Sequence, residues 1–187
     1  MNVYDFDKTI YKKDSSVQFY LYVIRKKPFI FFKCFGQQIV ATVKYYLKFI
    51  TKEQWKEQYF CFVKYINTEE MVDSFAEEEL KNIHQWYLKK RKDNDVIITA
   101  SPEFLIKAFM RRLGGMDVIG SVVDTHTGKF CGLNCYGEEK LRRLMTKYGT
   151  DVKIAEFYSD SYSDLPLAQI AEKAFLVKKN NYKNFVK

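Results

Sequence analysis

No apolar run in this 187-residue chain is long and unbroken enough to suggest a membrane-crossing helix. The nearest stretch, 28–50, is interrupted by Lys33, Gln37, Gln38, Lys44 and Lys48, whereas a span needs about 20 predominantly apolar residues. No apolar segment with a small-residue cleavage site precedes the first predicted strand, so a secretory leader is not expected. Cysteine is sparse: Cys34, Cys61, Cys131 and Cys135. Cys131 and Cys135 lie near His126 but lack C-x-x-C spacing and a second pair, so zinc is not expected. Free thiols in a reducing cytoplasm are expected instead. There is no internal repeat, low-complexity tract or long linker. With 47% hydrophobic and 17% aromatic residues, the chain has the material for an ordered core. Its length fits one domain, or one domain carrying an insert.

Carboxylates are also scarce in one region. Residues 11–64 hold eleven Lys/Arg against Asp14, Glu53 and Glu57 alone, a local +8 that equals the net charge of the whole chain. Such a basic, aromatic stretch fits either a solvated helical face or an anionic partner: a phosphorylated substrate, a lipid surface or nucleic acid.

Hydrophobic periodicity orders the rest. Val3-Tyr4 reads as a short buried strand. Val17, Tyr20, Leu21 and Ile24 recur at helical spacing. Pro28 interrupts, and Ile39, Val40, Val43, Leu47 and Ile50 form a second helical stripe. Thr51-Lys-Glu-Gln54 resembles a capping box before a third stripe from Trp55 to Ile66. Thr68 is the expected N-cap of a fourth helix running to about Lys90, with His84 and Trp86 packed within the helical segment. From Val96 the pattern becomes strand, helix, strand. Val96–Ile98, Val118-Ile119, Val122-Val123, Ile154–Tyr158 and Phe175–Val177 are predicted strands. Ser101-Pro102 is the expected start of a helix ending near Leu113 before Gly114. Gly137–Tyr148 and Leu167–Lys173 complete the predicted helices, and Asp124–Lys129, with His126, reads as a turn. Alternation of strands and helices implies a parallel sheet.

Chemistry-bearing residues stand at the ends of these elements, where open parallel sheets place ligands. Asp5 and Asp7 follow the first strand, and on extended backbone residues two apart face one side. Thr99 follows a second strand and enters a helix, a position that favours an anion. Lys140 sits near a helix start, where a cation opposes the dipole and so calls for another reason to be there. Asp160 and Asp164 follow a third strand. Each motif alone is weak.

Taken in order, Asp5-Phe-Asp7-Lys-Thr9, Thr99, Lys140 and Asp160-x3-Asp164 resemble the four motifs of the haloacid dehalogenase superfamily, and the resemblance covers essentially the whole chain. The runs Thr99-Ala-Ser-Pro-Glu-Phe and Tyr158-Ser-Asp-Ser-Tyr-Ser-Asp-Leu-Pro-Leu are most similar to its phosphoserine-phosphatase-like branch. The resemblance implies an α/β fold with a Rossmann-like parallel core, 1–13 and 91–187, and an all-helical cap, 14–90, inserted between the first two core strands.

The resemblance also implies a magnesium-dependent phosphatase. Asp5 and Asp160 would supply carboxylate ligands to Mg²⁺ and Asp7 its main-chain carbonyl. Asp5 would attack phosphorus to give an aspartyl-phosphate, and Asp7 would move the protons. Thr99 and Lys140 would bind the phosphoryl oxygens, with Thr9 and Asp164 in support. Asp14 matches the spacing of a carboxylate that meets a substrate ammonium, and equally suits the N-cap of the first cap helix. The expected substrate is a small phosphorylated metabolite. The basic aromatic cap is a departure from what a small amino-acid phosphate requires. It points to a second reading, a lipid-headgroup phosphatase of the phosphatidylglycerophosphate type, peripheral at the inner face of an anionic membrane. A non-catalytic phosphate- or nucleic-acid-binding module is disfavoured because every catalytic position is filled. Oligomeric state is left open.

Overall fold

The computed structural model describes residues 1–185, apart from the side chain of Lys52. Six strands form one sheet: β1 (Asn2–Tyr4), β2 (Val96–Pro102), β3 (Asp117–Ser121), β4 (Ile154–Ser159), β5 (Ala171–Lys178) and β6 (Asn181–Asn184), in the order β3-β2-β1-β4-β5-β6. The first five are parallel, and β6 runs antiparallel to β5. This is the mixed α/β, mainly parallel core expected. The sequence places Tyr4, Ile97, Val118, Tyr158 and Val177 in one buried cluster. Val3, Val96, Ile98, Ile119, Phe157 and Leu176 fall in the other. Residues that alternate along each strand thus go to opposite faces, as a sheet covered on both sides requires.

Between β1 and β2 the chain makes α1 (Ser15–Lys26), α2 (Phe29–Tyr46), α3 (Lys52–Tyr59), a 3₁₀ segment Phe60–Tyr65, α4 (Thr68–Glu79), a 3₁₀ turn Leu80–Asn82 and α5 (Gln85–Lys90). After β2 come α6 (Glu103–Arg112), α7 (Glu138–Tyr148) and α8 (Leu165–Ile170). Asp14 caps α1, accepting from the Val17 amide at 3.0 Å. The Thr51/Gln54 capping box is present at α3. Leu113 ends α6, where Gly115 N–H reaches back to the Met110 carbonyl at 2.7 Å and Gly114 and Gly115 take positive φ, a Schellman-type stop.

Several elements differ from the periodicity reading. Asn67, not Thr68, caps α4; the Thr68 hydroxyl instead donates to the Thr125 carbonyl at 2.8 Å. The expected single helix to Lys90 breaks at 80–84, because that backbone pairs with the segment after β1. Lys12 N–H donates to Asn82 O at 3.0 Å and His84 N–H to Ile10 O at 2.8 Å. Trp86 therefore lies on the sheet, its ring against Tyr4, Tyr158 and Tyr182, rather than among the other inserted helices. Ser101 belongs to β2, whose pairing runs on to Pro102↔Ser121, so the helix starts one residue later, at Glu103 with Pro102 as its N-cap. Val122-Val123 forms only an isolated bridge, Val123 to Phe130. β5 begins at Ala171, where helix was predicted, because Ala171–Leu176 pairs along the whole of β4. The polar β6 has no hydrophobic period to announce it. It follows a two-residue turn in which Lys179 takes φ 57°, the left-handed geometry such hairpins demand.

The helices between β1 and β2 rest on the site end of the core. Lys56 of α3 reaches the Ala100 carbonyl at 3.4 Å and Asn134 Oδ1 at 3.1 Å, and Glu57 accepts from the Phe130 amide at 3.0 Å. Gly128, at φ +74°, lies so close to the Phe60 carbonyl that no Cβ would fit. One aromatic knot binds inserted helices to core: Phe109 of α6 contacts Phe6, Tyr11 and Phe75 at centroid separations of 5.2–5.7 Å. Because Phe109 is fully buried there, Phe109→Ala is expected to lower unfolding free energy by about 3–5 kcal/mol. Urea denaturation checks this; a loss below about 1 kcal/mol would mean that the knot does not join the two layers.

Candidate active site

Asp5 leaves β1 at its C-terminal edge, its amide donating to the Tyr158 carbonyl of β4 at 2.8 Å. Thr99 and Ser101 come from the end of β2, and Ser159 and Asp160 from the end of β4. Five parallel strands deliver their ends to one edge, which is why residues so far apart in sequence meet. They line a cleft of about 150 Å³ bounded by Asp5, Asp7, Lys8, Asp14, Thr99, Ala100, Tyr136, Lys140, Asp160, Ser161, Ser163 and Asp164. Of the residues predicted from sequence, only Thr9 stands outside the lining. It is buried, and its hydroxyl points to Asp5 Oδ2 at 3.4 Å. A larger hollow of about 490 Å³ lies between α2 and α3, but its only carboxylate is Glu57, which is already engaged by Phe130, so it offers no comparable chemistry.

At the floor, Lys140 Nζ donates to Asp5 Oδ1 and to Asp164 Oδ2, each at 2.7 Å, and all three side chains are almost wholly buried. Ser159 Oγ donates to the same Asp164 oxygen at 2.7 Å. The lysine at the start of α7, ill-matched to the helix dipole, is thus fixed by two carboxylates instead. Burial alone would favour a neutral amine, yet the charges of Asp5 and Asp164 hold Lys140 above the ordinary lysine range. Burial pushes Asp5 up to about 7, against the pull of Lys140 and with a further push from Asp164. On Asp5, burial outweighs the ion pair.

Asp7 is held differently. Its Oδ1 accepts the Ser15 amide at 2.8 Å, and its Oδ2 accepts the Ser101 hydroxyl at 2.5 Å. Burial and then the Asp14 charge raise it to about 6, while the Ser101 and Ser15 hydrogen bonds oppose the shift. A carboxyl poised near neutrality can both give and take a proton. Ser15 opens α1, so the first inserted helix and β2 together grip this side chain. Asp14 caps α1 while also facing the cleft. Thr99 is buried and accepts from the Ser101 amide at 3.1 Å.

Asp160 is raised above the ordinary carboxylate range by burial, partly offset by Lys8. It makes no ion pair within 4 Å among the described residues. Asp164 Oδ1 is buried without a hydrogen-bond partner, an orphan that a bound ion or its water would satisfy. Among the described residues no group of three or more His, Cys, Asp or Glu side chains is arranged to hold an ion. A hard cation here would therefore draw on fewer side chains, and on oxygen alone: Asp5, Asp160 and the main-chain carbonyl of Asp7. That donor set suits a cation that keeps several waters, so the residues fit the ion that the sequence implies. The cysteines take no part: Cys34, Cys61 and Cys135 are buried, and all four are free.

Sequence reasoning missed Ser101, Ser15, Ser159 and Lys8. Ser101 reads as a helix cap, Lys8 and Ser159 lie inside the motif runs without a role of their own, and Ser15 belongs to no motif. The signal that could have found Ser159 is the one that found Thr99, a hydroxyl at a strand end.

Comparison with known proteins follows the same lines. A family model described as haloacid dehalogenase-like hydrolase matches residues 3–169. Protein CicA of Caulobacter vibrioides is 28% identical over 188 residues, covering 90% of this chain and 82% of CicA. Phosphoserine phosphatase SerB1 of Mycobacterium tuberculosis is 32% identical over 88 residues, 43% of this chain and 29% of SerB1. A crystal structure of a protein of unknown function from Bordetella pertussis Tohama I superposes with a TM-score of 0.71 at 19% identity, covering 93% of this chain and 87% of that one.

The buried ion triad generates a stability test with a pH sign. Lys140→Met leaves Asp5 and Asp164 without their cation, and is expected to cost about 3–5 kcal/mol at pH 8. Asp5, already held up to about 7 with the lysine present, takes a proton more readily without it. A carboxyl raised in the folded state favours folding at low pH, and that contribution is lost as pH rises from the unfolded value of about 4 through the folded one. The penalty should shrink at pH 5. Equal losses at both pH values in urea unfolding would show that the ammonium is not what neutralises these carboxylates.

Proposed function

The chain belongs to the haloacid dehalogenase-like hydrolase family, and on that premise we propose that it is a Mg²⁺-dependent phosphatase acting on the phosphomonoester of a small metabolite. The observation that carries the reading is the pairing of two differently held carboxylates. Asp5 is fixed by Lys140 beside Thr99, and Asp7 is raised to about 6 and held by Ser15 and Ser101. Similarity to a named phosphoserine phosphatase over 88 residues supports the reaction class.

In this reading an Asp5 carboxylate oxygen attacks phosphorus and the bond to the leaving oxygen breaks. Protonated Asp7 gives its proton to that oxygen, so the alcohol departs neutral. The phosphoryl group then sits on Asp5 as a mixed anhydride. Asp7, now a carboxylate, takes a proton from an incoming water whose oxygen attacks phosphorus; inorganic phosphate leaves and Asp5 is restored. Lys140 and Thr99 face the phosphoryl oxygens and stabilise their negative charge. Asp5, Asp160 and the main-chain carbonyl of Asp7, with Asp164 behind, would hold Mg²⁺, which when bound would neutralise the charge of a dianionic substrate. Asp14, which lines the cleft while capping α1, would meet a cationic group on the leaving side. The cleft, about 150 Å³, suits a phosphoryl group with a compact leaving group.

Purified protein with Mg²⁺ should hydrolyse p-nitrophenyl phosphate, and Asp5→Asn should lower kcat by about 10³-fold or more, the scale of losing a nucleophile in a concerted site. Full activity in that variant would remove Asp5 as the nucleophile. Asp7→Asn should discriminate between leaving groups: alkyl phosphates, whose alkoxide needs a proton, should lose about 10²–10⁴-fold, and the nitrophenyl ester distinctly less. Equal losses in first-turnover alcohol release, which precedes the water step that Asp7 also serves, would assign the leaving-group proton to another group.

A further inference from the structure

The second predicted stripe is helical through Val43, while Leu47 and Ile50 lie beyond the end of α2, and it is not buried. α2 turns only Ile30, Cys34 and Ala41 inward. Of nineteen large apolar side chains that are exposed among the described residues, ten lie between 29 and 49. Phe32, Phe35, Ile39, Val43 and Tyr46 are all exposed and follow one another at intervals of 3, 4, 4 and 3. At about 100° per residue they fall within one arc of about 80°. Phe32 and Tyr46 are 79% exposed, and Phe49 just beyond the helix is 75% exposed. An apolar face of this extent on a water-soluble surface marks an interaction site.

The opposite side of α2 is tied to the neighbouring helices. Gln38 bridges Tyr20 of α1 at 2.7 Å and the Tyr59 carbonyl of α3 at 3.1 Å, and Trp55 of α3 donates to Thr42 at 3.2 Å. The helix is therefore anchored with its apolar stripe outward. It is bordered by cations: Lys33 and Lys44 stand about 100–120° around the helix from Phe32, and Lys48 follows the last turn. Lys44 and Lys48 make no ion pair within 4 Å among the described residues. From Asp14 to Glu53 the sequence holds seven Lys/Arg and no carboxylate between them. No described helix is long and apolar enough to cross a membrane.

We propose that the exposed face of α2, with the Phe49 turn, docks the protein on an anionic lipid bilayer. The rings and aliphatic side chains enter the headgroup boundary while the bordering lysines meet lipid phosphates. Charge decides the occupant. Because a two-fold interface presents the same patch from both sides, a second copy packing through the same face would set these lysines against each other, and α2 with its flanking turns carries no carboxylate to pair them. Anionic lipid offers both the apolar layer and the counter-charge. The inference does not depend on the chemistry assigned to the cleft.

Sedimentation with phosphatidylcholine vesicles, with and without phosphatidylglycerol, tests it. The protein should bind the phosphatidylglycerol vesicles at low salt, release them as salt rises, and bind pure phosphatidylcholine much more weakly. Lys44→Gln and Lys48→Gln should each weaken binding by about fivefold. Phe32→Ser and Phe49→Ser should each weaken it by about tenfold, with thermal unfolding unchanged as proof that the fold is intact. Failure to bind phosphatidylglycerol vesicles at low salt overturns the proposal, as does unaltered binding by the Phe32→Ser/Phe49→Ser variant. A dimer that Phe32→Ser dissociates, in a protein that ignores vesicles, would assign the face to a second copy instead.

Discussion

An ammonium group, Lys140, stands 2.7 Å from each of two buried carboxylates at the end of a parallel sheet. Asp5 and Asp164 are costly there as charges without it, and the lysine is costly as a buried cation near a helix start without them. The three side chains come from β1, from α7 and from the turn after β4, so their charge balance is also a clamp between elements. The sheet order places β1 between β2 and β4. Asp5 is thereby the central point, with Thr99 on one side and Asp160 on the other. Function and architecture share that constraint: the edge that gathers the strand ends also gathers the charges.

The second carboxylate shows how one short motif separates two roles. Asp5 and Asp7 are two residues apart, yet one meets a cation and the other meets neutral donors. In the proposed reaction Asp5 takes the phosphoryl group, whose negative charge the same lysine can stabilise. Asp7 is proposed for proton transfer, being raised to about 6 by burial and by Asp14 but restrained by Ser101 and Ser15. Because Ser15 opens α1, the inserted helices help to hold the Asp7 side chain. Lys56, reaching from α3 to the Ala100 carbonyl, ties the same helices to the opposite wall.

Much of this was legible in the sequence because each motif residue sits where an element ends, and element ends follow from periodicity. Asp5, Asp7, Thr99, Lys140, Asp160 and Asp164 all line or floor one cleft. What was not legible has physical causes. Ser101 resembled a helix cap because Ser-Pro is a common helix entry, but β2 continues through it by pairing with β3. The helix expected to reach Lys90 breaks because its backbone pairs with residues 10–12, a long-range contact that no local pattern carries. β6 has a single apolar side chain, Tyr182, which packs on Trp86, Tyr158 and Phe175; that is too little for a local pattern, and the strand follows a tight turn at Lys179. Most instructive is α2: spacing reveals a helix, but only packing reveals which apolar stripe is covered. Its inward side is Ile30, Cys34 and Ala41, and the aromatic stripe faces out.

The central claim is that Asp5 carries the phosphoryl group between the two half-reactions. Acid quenching of the enzyme during turnover of a phosphomonoester with Mg²⁺, followed by peptide mass spectrometry, tests it most directly. The account predicts a peptide bearing one added phosphoryl group located on Asp5, appearing at the rate of alcohol release. A phosphoryl group on any other residue, or turnover with no phosphorylated peptide when alcohol release outpaces phosphate release, would contradict it.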